Sequence, residues 1–157
     1  KSMINKVAYF AYGSNMSISR LHKPERAPSA IVIGPAKLVD WRFVCNKQSK
    51  DGSAKANIMR SPGDTVWGVL YEINSSELQN LDNAEKGYDR RCLNIVDCEN
   101  NEVVAKTYIS EETTSDTRPY TWYKQLIVQG AREHCLPVSY IEFLERIESK
   151  PDKAEHS

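Results

Sequence analysis

Val7-Ala8-Tyr9-Phe10-Ala11-Tyr12-Gly13-Ser14-Asn15-Met16-Ser17 opens the chain, and its reading decides the rest. Val7, Tyr9, Phe10 and Tyr12 are β-branched or aromatic, types that suit a pleated sheet surface, so the stretch begins as a strand. It stops at Gly13-Ser14-Asn15. Glycine accepts φ > 0, and serine and asparagine bond their own backbone, so a sharp loop follows with several N–H groups facing one way. Such a run of donors suits a carboxylate or a developing oxyanion. The same residues also fit an ordinary turn at a strand end.

Downstream, Ser17 can cap one or two helical turns as far as Lys23, before Pro24 and Pro28 break the chain. Ala30 to Lys47 reads as strand, interrupted at Gly34-Pro35, and Asp51-Gly52 marks a turn. Ala54 to Arg60 is a short strand, Ser61-Pro62-Gly63-Asp64 a turn, and Thr65 to Ile73 a strand. That last run is nearly all β-formers, which predicts a central strand buried on both faces. Gly68 within it predicts close approach by a side chain or a ligand.

A helix is expected from Ser75, with Asn74 and Glu77 spaced as a capping box and Gly87 ending it or lying just past the end. Leu78 and Leu81 form its apolar stripe, and helical spacing continues that stripe to Glu85. A carboxylate there faces the core at the negative end of the helix dipole, and both effects push its pKa up. Such an acid is a candidate general base. If the last turn frays, Glu85 projects into solvent instead.

Arg91 to Cys98 and Val103 to Ser110 form a hairpin, and Glu111 to Pro119 is a polar loop. Tyr120 to Cys135 is helical, with Tyr123, Leu126, Ile127 and Gly130 on one side. A second helix has Ser139 as cap, Glu142 in the box position and a stripe of Ile141, Leu144 and Ile147. Strands come first and helices late, with few connections long enough for parallel crossovers. This predicts an α+β fold with a mixed, mostly antiparallel sheet and flanking helices, in one domain over residues 1–157. Residues 1–3 and 150–157 are expected to fray, and Met3 reads as the native start.

A formal net charge of zero, without basic or acidic tracts, argues against nucleic acid and anionic membrane as partners. No apolar run is long enough for a transmembrane helix. Cys45, Cys92, Cys98 and Cys135 form neither a Cys-x-x-Cys pair nor a disulfide framework, which favours a reduced, cytoplasmic setting. Cys92 and Cys98 would share a strand face and pack in the core. His22, His134 and His156 lack metal-ligand spacing, so no metal site is expected. A Cys135 nucleophile beside His134 is disfavoured, because adjacent helical residues diverge.

Tyr12-Gly13-Ser14-Asn15 closing an N-terminal strand resembles the signature of the γ-glutamylcyclotransferase family. Leu81-Asp82-Asn83-Ala84-Glu85-Lys86-Gly87-Tyr88 resembles its acidic motif. Ser61 to Val69, Tyr123-Lys124-Gln125-Leu126-Ile127, Gly130-Ala131-Arg132-Glu133 and Leu136-Pro137 resemble further blocks in the same order. The resemblance implies closure of the sheet into a barrel, cyclisation of a γ-glutamyl amide to 5-oxoproline, and Glu85 as general acid/base. It further implies a glutamyl pocket built from Tyr9, Phe10, Ala11, Tyr12, Gly13, Ser14 and Asn15, with Tyr88 and Tyr123 also contacting substrate. No cofactor is implied. The expected partner is a small γ-glutamyl compound, and homodimerisation stays open. Only Lys86 and Gly87 separate Glu85 from Tyr88, a short spacing that also resembles the γ-glutamylamine branch. A non-catalytic binding module on the same fold is the remaining alternative.

Overall fold

Five strands close into a barrel in the order β1-β3-β2-β4-β5 in the computed structural model, which describes residues 5–153. The strands are β1 (Lys6–Ala11), β2 (Ile31–Gln48), β3 (Ala54–Asn74), β4 (Asp89–Val96) and β5 (Glu102–Ile109). β3 pairs antiparallel with both β1 and β2, and β4 with β5. The barrel closes through a parallel contact, Tyr9 against Lys106, and an antiparallel one, Lys37 against Val96. The mixed, mostly antiparallel sheet expected from the sequence is therefore present, and it is closed. Among the described residues, four α-helices flank it: α1 (Ile18–Leu21), α2 (Leu78–Ala84), α3 (Thr121–Glu133) and α4 (Val138–Glu145).

β3 holds the core together. Val66, Val69, Leu70, Tyr71 and Ile73 are all buried, as a central strand requires. Each large apolar side chain so placed contributes about 1.5–3 kcal/mol. Gly68 admits a neighbour rather than a ligand: a Cβ there would stand 2.4 Å from the Ala11 carbonyl and 2.8 Å from the Phe10 ring.

Several local expectations are corrected. Ser61 to Asp64 is not a turn between two strands. β3 runs straight through it, and these four residues bulge opposite Asp40, where pairing jumps from Val39–Thr65 to Trp41–Arg60. Asp40 adopts φ 70° and its carboxylate accepts the Gly63 N–H at 3.0 Å, which fixes the bulge. Likewise Gly34-Pro35 shifts the register of β2 without ending it.

The capping box before α2 does not form. Residues Ser75–Glu77 make a 3-10 turn, and Asn74 gives no side-chain cap. Ser29, arriving from another loop, takes both partners: its hydroxyl accepts the Asn74 N–H at 2.9 Å and donates to Glu77. α4 starts at Pro137 without a side-chain cap, so Ser139 and Glu142 are ordinary helix residues. Tyr140 and Leu144 carry its burial, and Ile147 packs beyond the helix end.

Cys92 and Cys98 are exposed rather than in the core, because Cys98 lies past the end of β4 and Cys92 faces outward. Cys45 is buried, and burial pushes its thiol up to about 12. The fraying expected from residue 150 does not occur at Lys150. Lys150 bridges to Tyr120, accepts the Thr121 N–H and places its ammonium 3.0 Å from Asp116. The expectations for residues 1–3 and 154–157 lie outside the described residues. No helix among the described residues is long and apolar enough to cross a membrane.

Candidate active site

β1 stops at Ala11, paired with Val69, while β3 continues along the barrel wall to Ala54. A narrow cleft opens in the space β1 leaves. Its lining includes Tyr9, Phe10, Tyr12, Gly13, Ser14, Asn15, Glu85, Tyr88 and Tyr123. One sequence stretch, one helix end and one distant helix thus converge on a single site. Ala11 does not reach it: the residue is buried, with its carbonyl over Gly68.

The loop after β1 is a 3-10 turn, Ser14–Met16. Gly13 has φ −114°, so left-handed freedom is not why glycine stands there. Space is the reason: a Cβ would lie 3.1 Å from the Ala56 Cβ and 3.8 Å from the Tyr123 hydroxyl. α3 presses the turn from outside at Gly130, where a Cβ would meet that of Met16 at 2.8 Å. His134 and Tyr71 both bond the Met16 carbonyl, at 2.9 and 2.8 Å. This contact accounts for His134 structurally. The amides of Gly13, Ser14 and Asn15 donate to no protein acceptor among the described residues, as expected for the start of a helical turn.

Glu85 is the C-cap of α2, its N–H bonded to the Leu81 carbonyl at 2.8 Å. Leu78 and Leu81 are buried, and the stripe carries the carboxylate inward as its spacing predicts. The side chain keeps 21% exposure, through the cleft, so a small molecule can reach it. Asn15 Nδ2 donates to its Oε1 at 2.7 Å. Asn15 Nδ2 also donates to the Tyr9 hydroxyl at 2.9 Å, and Arg26 donates to Asn15 Oδ1 at 2.9 Å. The Arg26 bond requires oxygen on that side of the amide, so its nitrogen must face Glu85. Burial raises the Glu85 pKa; Arg26 at 3.7 Å, Arg20, Asn15 and Lys47 oppose that rise without cancelling it.

Two tyrosines bond the backbone of one residue, Ala56, in opposite senses. The Tyr123 hydroxyl accepts the Ala56 N–H at 3.1 Å, so its own proton remains available to the cleft. Tyr88 donates to the Ala56 carbonyl at 2.6 Å and has spent its proton. Tyr9 resembles Tyr123, because it accepts from Asn15. Burial pushes all three phenols up, so they stay protonated donors. Tyr12 donates to the Tyr108 carbonyl and serves as wall. Arg90 is 3.2 Å from Asp82, whose other oxygen accepts from Tyr108 at 2.7 Å, and this ties α2 to the hairpin.

Sequence reasoning missed Arg26, Arg20, Lys47, Ala56, Thr107 and Tyr108. No local pattern marks them, since loop and strand pairing bring them in from afar. Among the described residues no three His, Cys, Asp or Glu side chains group to hold a metal ion.

The chain is similar in sequence and in fold to known proteins. The AIG2-like family profile matches residues 65–144. γ-Glutamylcyclotransferase of Homo sapiens is 36% identical over 150 residues, covering 89% of this chain and 78% of the human one. That of Mus musculus is 33% identical over 159 residues, covering 95% and 82%. A solved structure of a γ-glutamyl cyclotransferase superposes with a TM-score of 0.86 at 33% identity, covering 93% of this chain and 90% of that one.

Proposed function

Since the chain belongs to the γ-glutamylcyclotransferase family, we propose that it converts γ-glutamyl amino acids to 5-oxoproline and a free amino acid. The α-amine of the substrate attacks its own γ-carbonyl carbon. A C–N bond forms, the carbonyl oxygen becomes an oxyanion, and the original amide C–N bond then breaks. Glu85 takes a proton from the attacking nitrogen and returns one to the leaving nitrogen, so the proton balance closes within the site. The reaction is intramolecular, so holding the chain folded lowers much of the barrier. Tyr123, Tyr9 and the amides of Gly13, Ser14 and Asn15 are the donors for the glutamyl carboxylate and the oxyanion.

One observation carries this reading: a carboxylate held by Asn15 on the wall of a cleft in which the Tyr123 hydroxyl and the amides of Gly13, Ser14 and Asn15 donate to no protein acceptor among the described residues. The substrate ammonium has a pKa of about 8, against about 4.3 for an ordinary glutamate. A buried, raised glutamate narrows that gap. The same reading makes the protein a cytoplasmic enzyme of γ-glutamyl peptide and glutathione turnover.

Glu85→Gln tests the proposal. It keeps the acceptor for Asn15 but cannot take the proton, so 5-oxoproline release should fall by a factor of about 10² or more. Stability carries its own sign. The native carboxyl holds its proton to higher pH than the unfolded chain does, so wild-type stability declines as pH rises from the ordinary glutamate value through the raised one. The glutamine variant should therefore melt no lower than wild type above that window, and any gain should vanish below it. Normal turnover in a folded variant would place the base elsewhere.

A further inference from the structure

Beyond Glu85 the cleft widens into a groove whose walls carry more positive charge than the cyclisation uses. Arg20, Arg26, Lys47 and Lys55 stand there close to Glu85 and Tyr123. Two of the four are accounted for. Arg26 holds Asn15, and Lys55 lies 3.5 Å from Asp51 and over the Tyr123 ring.

Arg20 and Lys47 have no such partners. The Arg20 Nε is buried without a hydrogen-bond acceptor, and among the described residues no carboxylate lies within 4.0 Å of the guanidinium. Lys47 is 8% exposed. Its ammonium stands 5.5 Å from the centroid of the Tyr88 ring; the Glu112 carboxylate shares that wall of the groove without forming an ion pair with it. It passes so close to Gly87 that a Cβ there would meet Nζ at 2.7 Å. Taking a cation out of water without a partner is costly, and an orphaned buried donor calls for an acceptor. Glu85 does not supply it: one carboxylate faces Arg20, Arg26 and Lys47, and it is already bonded by Asn15. The local surplus is positive, and a γ-glutamyl amino acid brings two carboxylates. The glutamyl one has the tyrosines and loop amides; the second belongs to the leaving group.

We propose that Arg20 and Lys47 form a leaving-group subsite that binds the carboxylate of the released amino acid and so selects γ-glutamyl amino acids over γ-glutamylamines. The proposal rests on the cyclotransferase reading above.

The test compares γ-glutamyl-L-alanine with γ-glutamylethylamine, which differ by that carboxylate alone, by 5-oxoproline release from the wild type, Arg20→Gln and Lys47→Met. The wild type should favour the alanine compound in kcat/KM by about tenfold or more, the scale of a hydrogen bond to a charged group. Each substitution should shrink that ratio several-fold, mainly through KM of the alanine compound. Both substrates are measured on one preparation, so partial misfolding cancels from the ratio. A wild-type ratio near one overturns the subsite. So does a ratio that survives both substitutions while the two substrates slow in parallel, since the cations would then serve Glu85 alone. If neither compound releases 5-oxoproline, the cyclisation reading itself fails and the subsite falls with it.

Discussion

Replacing Tyr123 by Phe removes one oxygen that two partners use. On the protein side it orphans the Ala56 N–H, now bonded at 3.1 Å within the barrel wall. An unsatisfied buried amide costs about 1–3 kcal/mol. For a chain of this size each kcal/mol lowers the melting temperature by about 2–4 °C, so a fall of roughly 2–12 °C is expected. On the substrate side the variant deletes a donor. The loss is about 1 kcal/mol for a neutral acceptor and up to about 3 kcal/mol for a carboxylate or oxyanion, or roughly five- to 150-fold in kcat/KM. Calorimetric melting and 5-oxoproline release read the two losses separately. Tyr88→Phe is the matched comparison. Its hydroxyl proton is spent on the Ala56 carbonyl, so the variant should lose less in kcat/KM than Tyr123→Phe does. Equal kinetic losses in the two variants, or none in Tyr123→Phe, would refute the division of labour between these rings.

Arg26→Met removes a cation that pulls the Glu85 pKa down, so the acidic limb of the kcat/KM profile should move to higher pH; a fixed limb would separate Arg26 from the base. Gly130→Ala drives a methyl against Met16 and should destabilise by about 1–3 kcal/mol while lowering turnover, measured by melting and by rate. Exhaustive chelation should leave 5-oxoproline release unchanged, whereas loss restored by zinc would require a metal in the mechanism.

The sequence reached some of these features and not others, for physical reasons. The β1 strand, its loop and the stripe ending at Glu85 are contiguous in the chain, so periodicity exposes them. The turn read at Ser61 to Asp64 failed because Gly63 and Pro62 mark a reversal only when nothing lies opposite. Here Asp40 does, and it folds the signal into a bulge. The capping box failed for the same kind of reason, since Ser29 outcompetes a local partner from 45 residues away. Arg20, Arg26 and Lys47 flank Glu85 only after loop and barrel have closed.

The gap beside β3 has a consequence for the protein's behaviour in solution. β3 extends 21 residues and β1 only 6, so part of one β3 edge has no strand against it. An exposed ladder edge recruits strands from other molecules. Here the edge is closed by side chains and a loop carbonyl: Tyr123 on the Ala56 N–H, Tyr88 on its carbonyl, and Arg118 on the Ala54 N–H. The rings that shape the cleft therefore also guard the sheet against self-association. Evolution of a wider cleft by trimming them would carry a solubility cost, and a replacement must occupy the edge as well as the pocket.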